Sequence, residues 1–209
     1  AGLIGFVIIA AIFTFGPLVR EEFLYSFGFL GQKNVVAVKN GFGDLLTRIS
    51  AQSVSDVQAE ARSQGVDSYF SIVIPKIDAK ARIIANVDSG SQAEYEDALT
   101  RGVAHARGTY FPGQGKNVFL FAHSTDSPLN FARYNAVFYL LGKLEKGDKI
   151  TVYFTDKKYE YEVTDKITTA ADDTKWVTNP PVRGEVLILQ ACYPPGTTWQ
   201  RLLIIAKLI

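Results

Sequence analysis

The chain of 209 residues has a single cysteine and only two histidines. Cys192 therefore has no internal disulfide partner, and as a nucleophile it must stay reduced. An excess of one charge is missing too: 22 Lys+Arg stand against 21 Asp+Glu, without a strongly basic cluster. That balance removes nucleic acid from the expected ligands. The carboxylates Asp126, Asp172 and Asp173 lack the spacing of an EF-hand calcium loop, so neither a metal nor a cofactor is expected. Gly41-Phe42-Gly43 is too isolated for a phosphate loop and reads as a turn. Internal repeats and low-complexity tracts are also absent.

What is present begins with an apolar leader. Gly2 to Val19 carries no charged residue, and Thr14 is its only clearly polar side chain. At about 1.5 Å per residue such a helix reaches about 27 Å, against about 30 Å for a bilayer core. Arg20-Glu21-Glu22 follows where a cleaved signal would show small residues, so residues 1–19 read as an uncleaved transmembrane anchor. The first residue is Ala1 rather than methionine, which fits an anchor with residues upstream. Its orientation does not follow, because the positive-inside rule needs both flanks.

Residues 20–68 read as a helical connecting region. A short helix is expected over Asp44 to Ile49, and a capping box of Ser55 and Gln58 opens a second through Gln64, stopped by Gly65. Residues 69–209 then have the size of one domain with its own core. Strands are expected at Ser71 to Ile74, Ala81 to Val87, Val118 to Ala122, Lys149 to Phe154, Tyr159 to Thr168, Val186 to Cys192 and Leu202 to Lys207. In the fifth, Tyr159-Glu160-Tyr161-Glu162-Val163 alternates apolar and charged residues, as a half-buried strand does. Ser91 with Glu94 reads as a capping box opening a helix from Gln92 to Arg101. Glu145-Lys146-Gly147-Asp148 reads as a solvated turn.

The chemistry-bearing residues fall at strand ends. Cys192 ends one apolar run, Arg201 opens the next, and His123 ends Val118-Phe119-Leu120-Phe121-Ala122. A thiol with an unperturbed pKa of about 8.5 is mostly protonated near neutral pH, and an imidazole or cation usually activates it. His123 is the better partner, because His105 sits in the Gly-rich stretch Gly102 to Gly108 and reads as a loop histidine. An inert buried cysteine and a hydrogen-bonded rim histidine are the alternative reading of the same pattern.

Three strings carry a resemblance. Gly102-Val103-Ala104-His105-Ala106-Arg107-Gly108 with its continuation through Asn117-Val118-Phe119-Leu120-Phe121-Ala122-His123, then Leu187-Ile188-Leu189-Gln190-Ala191-Cys192-Tyr193-Pro194-Pro195-Gly196, then Arg201-Leu202-Leu203-Ile204, closely resemble the sortases. These are membrane-anchored cysteine transpeptidases of the bacterial envelope. The similarity runs from about Phe70 to Lys207 and keeps the family order of His, Cys and Arg. Ala191 stands where the family commonly has threonine, and Ala122 and Ser124 flank the histidine.

The resemblance implies a mainly β fold: a closed barrel of about eight strands with short helices, preceded by the N-terminal membrane helix. It implies catalysis by Cys192, His123 and Arg201, and a substrate bearing a Leu-Pro-x-Thr-Gly-like sorting signal. The acceptor would be an amine, either a cell-wall precursor or a pilin lysine. The anchor would hold the barrel on the extracellular side of the cell membrane. His105 and Trp199 are weaker substrate-binding candidates; Trp199 either walls the groove or packs beneath the loop of Pro194 and Pro195, two residues whose fixed φ limits its freedom, and packing is the safer expectation. A papain-like hydrolase is disfavoured, because there the cysteine precedes the histidine and lies on a helix. A tethered, non-catalytic barrel is the remaining alternative, and retention of all three residues argues against it.

Overall fold

A computed structural model describes residues 41–124 and 137–209. The proposed anchor over residues 1–19 and Asp126 lie outside the described residues. Among the described residues, no helix is long and apolar enough to cross a membrane.

The described chain opens with helix α1 (Gly41–Ser63) and continues through β1 (Phe70–Ile74), β2 (Ala79–Val87), α2 (Gln92–Arg101), β3 (Val103–Ala106) and β4 (Asn117–Phe121). After the undescribed stretch come β5 (Lys149–Phe154), β6 (Lys157–Ala170), α3 (Lys175–Thr178), β7 (Val186–Tyr193) and β8 (Gln200–Leu208). The strands close into a barrel in the order β1-β2-β3-β4-β7-β8-β6-β5, with β1 pairing back onto β5. Two neighbours run parallel, β2 with β3 and β4 with β7; the others are antiparallel. Closure leaves no open sheet edge among these strands.

Composition explains which strands sit where. β7 is a continuous apolar run, Val186-Leu187-Ile188-Leu189, buried throughout, as suits a strand with neighbours on both sides and both faces covered. β6 instead alternates: Tyr161 and Val163 are fully buried while Glu160 is exposed. Ile72, Phe119, Leu120, Ile150, Ile188 and Ile204 belong to one core. Each such side chain contributes about 1.5–3 kcal/mol by burial, whereas an exposed ion pair such as Lys80 with Asp78 contributes about 0–1 kcal/mol. The barrel is held by its apolar interior.

Several expectations are corrected. Among the described residues of the connecting region, one helix runs where two were expected, and Gly41-Phe42-Gly43 lies within it rather than forming a turn. Ser55 Oγ donates to the carbonyl of Gln52 at 2.8 Å instead of capping a new helix. Gly65 does stop the helix, at φ +80°. The second half of α1 docks on the barrel: Ala61, Val57 and Val66 pack on Val73 and Tyr153, and the Tyr153 hydroxyl donates to Glu60 at 3.0 Å. Burial and this carboxylate push the Tyr153 phenol up to about 12.

Helix α2 has the expected bounds, but Ser91 makes no side-chain cap and Glu94 faces elsewhere. Its Oε1 accepts from the Asp88 N–H at 3.0 Å and from Arg107 at 2.6 Å, tying the helix start to the end of β3. Strand β3 was not expected. Gly102 makes its entry possible: a Cβ there would stand 2.3 Å from the Arg82 carbonyl oxygen.

Candidate active site

Register assembles the site. β4 and β7 run parallel with Phe121 opposite Gln190, and the Ala122 N–H still donates to the Gln190 carbonyl at 3.2 Å. On the other side of β7, antiparallel β8 places Arg201 directly opposite Cys192. Residues opposite each other in an antiparallel pair project from the same face. Cys192 and Arg201 are thus paired on β7 and β8, and His123 follows the end of β4 at the rim where parallel β7 also ends, although His123 and Cys192 are far apart in sequence.

His123 and Cys192 also share a groove of about 790 Å³. One wall is the face of α2 that presents Ala93, Glu96, Asp97 and Thr100; the other is the β7–β8 loop, with Thr197, Thr198 and Trp199. A second cavity of about 260 Å³ also borders Cys192, lined by Tyr139, Leu140, Pro195 and Leu202 among others. Ser124, 3% exposed, lines both. Cys192 is half-buried and therefore reachable from the groove.

Arg201 lines neither cavity. Its Nη1 donates to the carbonyls of Thr198 and Gln200, each at 3.2 Å. These contacts pin the guanidinium at the loop and leave Nε and Nη2 uncommitted among the described residues. The β7–β8 pairing continues to Tyr193 opposite Gln200, so Pro194 to Trp199 forms a short loop between two paired ends. Trp199 is 75% exposed on the groove wall. It does not pack beneath the loop.

His105 stands apart from these residues. It lies on β3, not in a loop, and is fully buried. Its Nδ1 accepts from the Asn86 N–H at 3.3 Å, which assigns the proton to Nε2, 3.0 Å from the Tyr110 carbonyl oxygen and 3.1 Å from Thr109 Oγ1. Phe111 stacks on the ring at 4.5 Å. Burial lowers its pKa below 6.5, the Tyr110 carbonyl opposing this in part, so the ring is held neutral. His105 lines no wall of the groove; the substrate-binding expectation for it is corrected to a core role.

Asp173 is engaged by the Thr169 hydroxyl at 2.6 Å and by Lys175 at 2.7 Å, and these partners lower its pKa, Lys175 first. The sequence carries no signal that the four α2 residues wall a groove, and it marks Ser124 only as a neighbour of His123. The 93, 96, 97, 100 spacing marks one helix face, but only the folded chain shows that this face borders the groove.

The sortase-domain family model matches residues 72–209. The chain is similar to Sortase D of Bacillus subtilis (strain 168), with 31% identity over 121 residues, 58% of this chain and 52% of that protein. It thus spans about half the length of that curated relative. Among solved structures it is similar to sortase C-1 from Actinomyces oris, with 29% identity and a TM-score of 0.56 over 74% of this chain and 79% of that one. A pilus-related sortase C of Group B Streptococcus gives 28% identity and a TM-score of 0.55, covering 68% and 66%. Sortase A from Corynebacterium diphtheriae gives 25% identity and a TM-score of 0.55, covering 68% and 60%.

Proposed function

The chain belongs to the sortase family, and from that premise we propose that it is a cysteine transpeptidase whose working residues are Cys192, His123 and Arg201. The Cys192 thiol passes its proton to His123 as the sulfur attacks the carbonyl carbon of a sorting signal of the Leu-Pro-x-Thr-Gly type. The carbonyl carbon–nitrogen bond breaks, His123 gives its proton to the departing amine, and a thioester remains on Cys192. An incoming amine then attacks the thioester; His123 takes its proton, the new amide leaves, and the sulfur is freed. Arg201 holds the substrate and steadies the carbonyl oxygen while it bears negative charge, using the N–H donors not tied to the loop. A positioned imidazole typically supplies about 10²–10⁴-fold in rate.

The observations that support this reading are the pairing of Arg201 with Cys192 on β8 and β7 and the groove that His123 and Cys192 line together. The groove has a volume of about 790 Å³, and its loop wall is short and tethered at both ends by the β7–β8 pairing. On the same premise residues 1–19 anchor the chain in the cell membrane as a single pass, residues 20–68 connect, and residues 69–209 form the catalytic barrel outside. The acceptor amine belongs to a cell-wall precursor or to a pilin-like subunit.

The test is incubation of the purified chain with a Leu-Pro-x-Thr-Gly peptide and an amine, read by mass spectrometry. Transpeptidation yields a thioester adduct on Cys192 and an amide product. Cleaved peptide without amide would indicate a hydrolase, and neither product would indicate a binding module. Cys192→Ala and His123→Ala should each abolish turnover with the fold retained, and near-normal activity in either removes the assignment.

A further inference from the structure

The barrel wall opposite the cysteine carries another cavity, of about 510 Å³. Ser71 of β1, Lys80 and Arg82 of β2, Arg62 in the last turn of α1, and Gly65 and Asp67 beyond it contribute to its lining. β1 lies four strands from β7 in either direction around the closed barrel, so this cavity is separate from the groove beside Cys192.

Charge is the first pointer. Three cationic side chains face one carboxylate, and Asp67 Oδ1 already accepts from the N–H groups of Tyr69 at 2.8 Å and Phe70 at 3.1 Å. Lys80 pairs with Asp78 at 3.0 Å, but the Asp78 side chain is 86% exposed, and such a pair is weak. Arg62 donates only to Gln58, at 3.2 and 3.5 Å. The Arg82 guanidinium makes no hydrogen bond or ion pair among the described residues. The last carbonyls of α1 are taken up by the N–H groups of Gln64, Gly65 and Val66, so the negative end of the helix is largely satisfied.

The second pointer is Ser71. It lies directly opposite Arg82 in the antiparallel β1–β2 pair, with Val73 opposite Lys80, so Ser71, Lys80 and Arg82 share the outer face. Ser71 is fully buried, and its Oγ has no hydrogen-bond partner among the described residues. A buried hydroxyl left unpaired is destabilising, and here it stands at the cavity beside an uncommitted guanidinium.

We propose that this cavity binds a phosphate-bearing anion, with the Arg82 guanidinium and the Ser71 hydroxyl as its direct donors. Lys80 and Arg62 supply the surrounding positive field. A guanidinium presents paired N–H donors that match two phosphate oxygens, and the serine hydroxyl serves a third. The excess of cations suits a phosphate better than a singly charged carboxylate. A free phosphate ester and a phospholipid headgroup share this chemistry. The site is independent of the proposed transpeptidation.

Calorimetric titration of the full chain with inorganic phosphate, and separately with glycerophosphoglycerol, the soluble headgroup of phosphatidylglycerol, tests the proposal. One saturable site is expected. Arg82→Gln should weaken it about tenfold or more, the scale of a lost charge-assisted hydrogen bond. Ser71→Ala should also weaken it while melting no lower than the parent, because it deletes an unpaired hydroxyl. Lys146→Gln, in the exposed turn before β5, should leave binding unchanged. Tighter binding of glycerophosphoglycerol identifies a lipid headgroup as the source, and tighter binding of phosphate identifies a free ester; both support the site. No saturable binding of either probe, or binding left intact by both Arg82→Gln and Ser71→Ala, overturns it.

Discussion

Replacing Glu185 by alanine should loosen the joint between the segments that feed β4 and β7, the strands leading to His123 and Cys192. Glu185 stands just before β7. Its Oε1 accepts from the Gly113 N–H at 2.9 Å and from the Tyr161 hydroxyl at 2.7 Å, and its Oε2 accepts from the Gly115 N–H at 2.8 Å. Water can replace the carboxylate at the two exposed glycines, so those bonds count at the low end of their range. Tyr161 is different, because it is fully buried and its hydroxyl would lose its partner. Burial, and then the bond to Glu185, already hold its phenol protonated well above the ordinary range.

An orphaned buried hydroxyl costs about 1–3 kcal/mol, and the two weakened glycine contacts bring the expected loss to about 2–4 kcal/mol. For a domain of this size that lowers Tm by roughly 5–15 °C. The informative assay is a double-mutant cycle by urea denaturation with Tyr161→Phe. In the parent, Tyr161→Phe breaks a good bond and destabilises; in Glu185→Ala it removes an unpaired hydroxyl and should be neutral or stabilising. Coupling of about 1 kcal/mol or more is expected. An equal cost of Tyr161→Phe in both backgrounds would refute the clamp.

Other predictions follow the same structure. Arg201→Lys keeps the charge but loses the planar fork, and should lower kcat of the peptide reaction by about 10²–10³-fold, the usual cost of one oxyanion donor; an unchanged kcat with a raised KM would assign Arg201 to binding alone. Gly102→Ala forces a Cβ to within 2.3 Å of the Arg82 carbonyl, so the β2–β3 pairing must shift, at a cost of about 1–3 kcal/mol in denaturation; parent-like stability would contradict the close approach. His105 binds its proton less readily folded than unfolded, so stability is fully present above pH 6.5 and falls as the pH drops below it. His105→Gln should flatten the decline in Tm between about pH 7 and about pH 5, and an unaltered slope would show that the ring does not titrate with unfolding.

The long apolar strands and the helix after β2 were legible because each carries its own period and stop signals. β3 was not, since four residues between Gly102 and Gly108 are too few to show a period; reading it as a loop also misplaced His105. The expectation of two helices where α1 runs rests on Ser55 with Gln58 as a capping box. In the folded chain Ser50, Ser53 and Ser55 donate to carbonyls three residues earlier, at 3.0, 2.8 and 2.8 Å, and the helix runs through them. Glu94 looked like half of a capping box, yet Arg107, distant in sequence, holds it by charge.

From residue types and their order alone came the family resemblance, the strand-end positions of His123, Cys192 and Arg201, and the balance of charge that leaves nucleic acid aside. Only the tertiary structure decided that Arg201 pairs with Cys192, that His123, Trp199 and one face of α2 line the groove beside it, and that Ser71 and Arg82 face each other on neighbouring strands. The reason is that a strand's own pattern shows which face it buries, whereas its neighbour and register depend on partners supplied by distant parts of the chain.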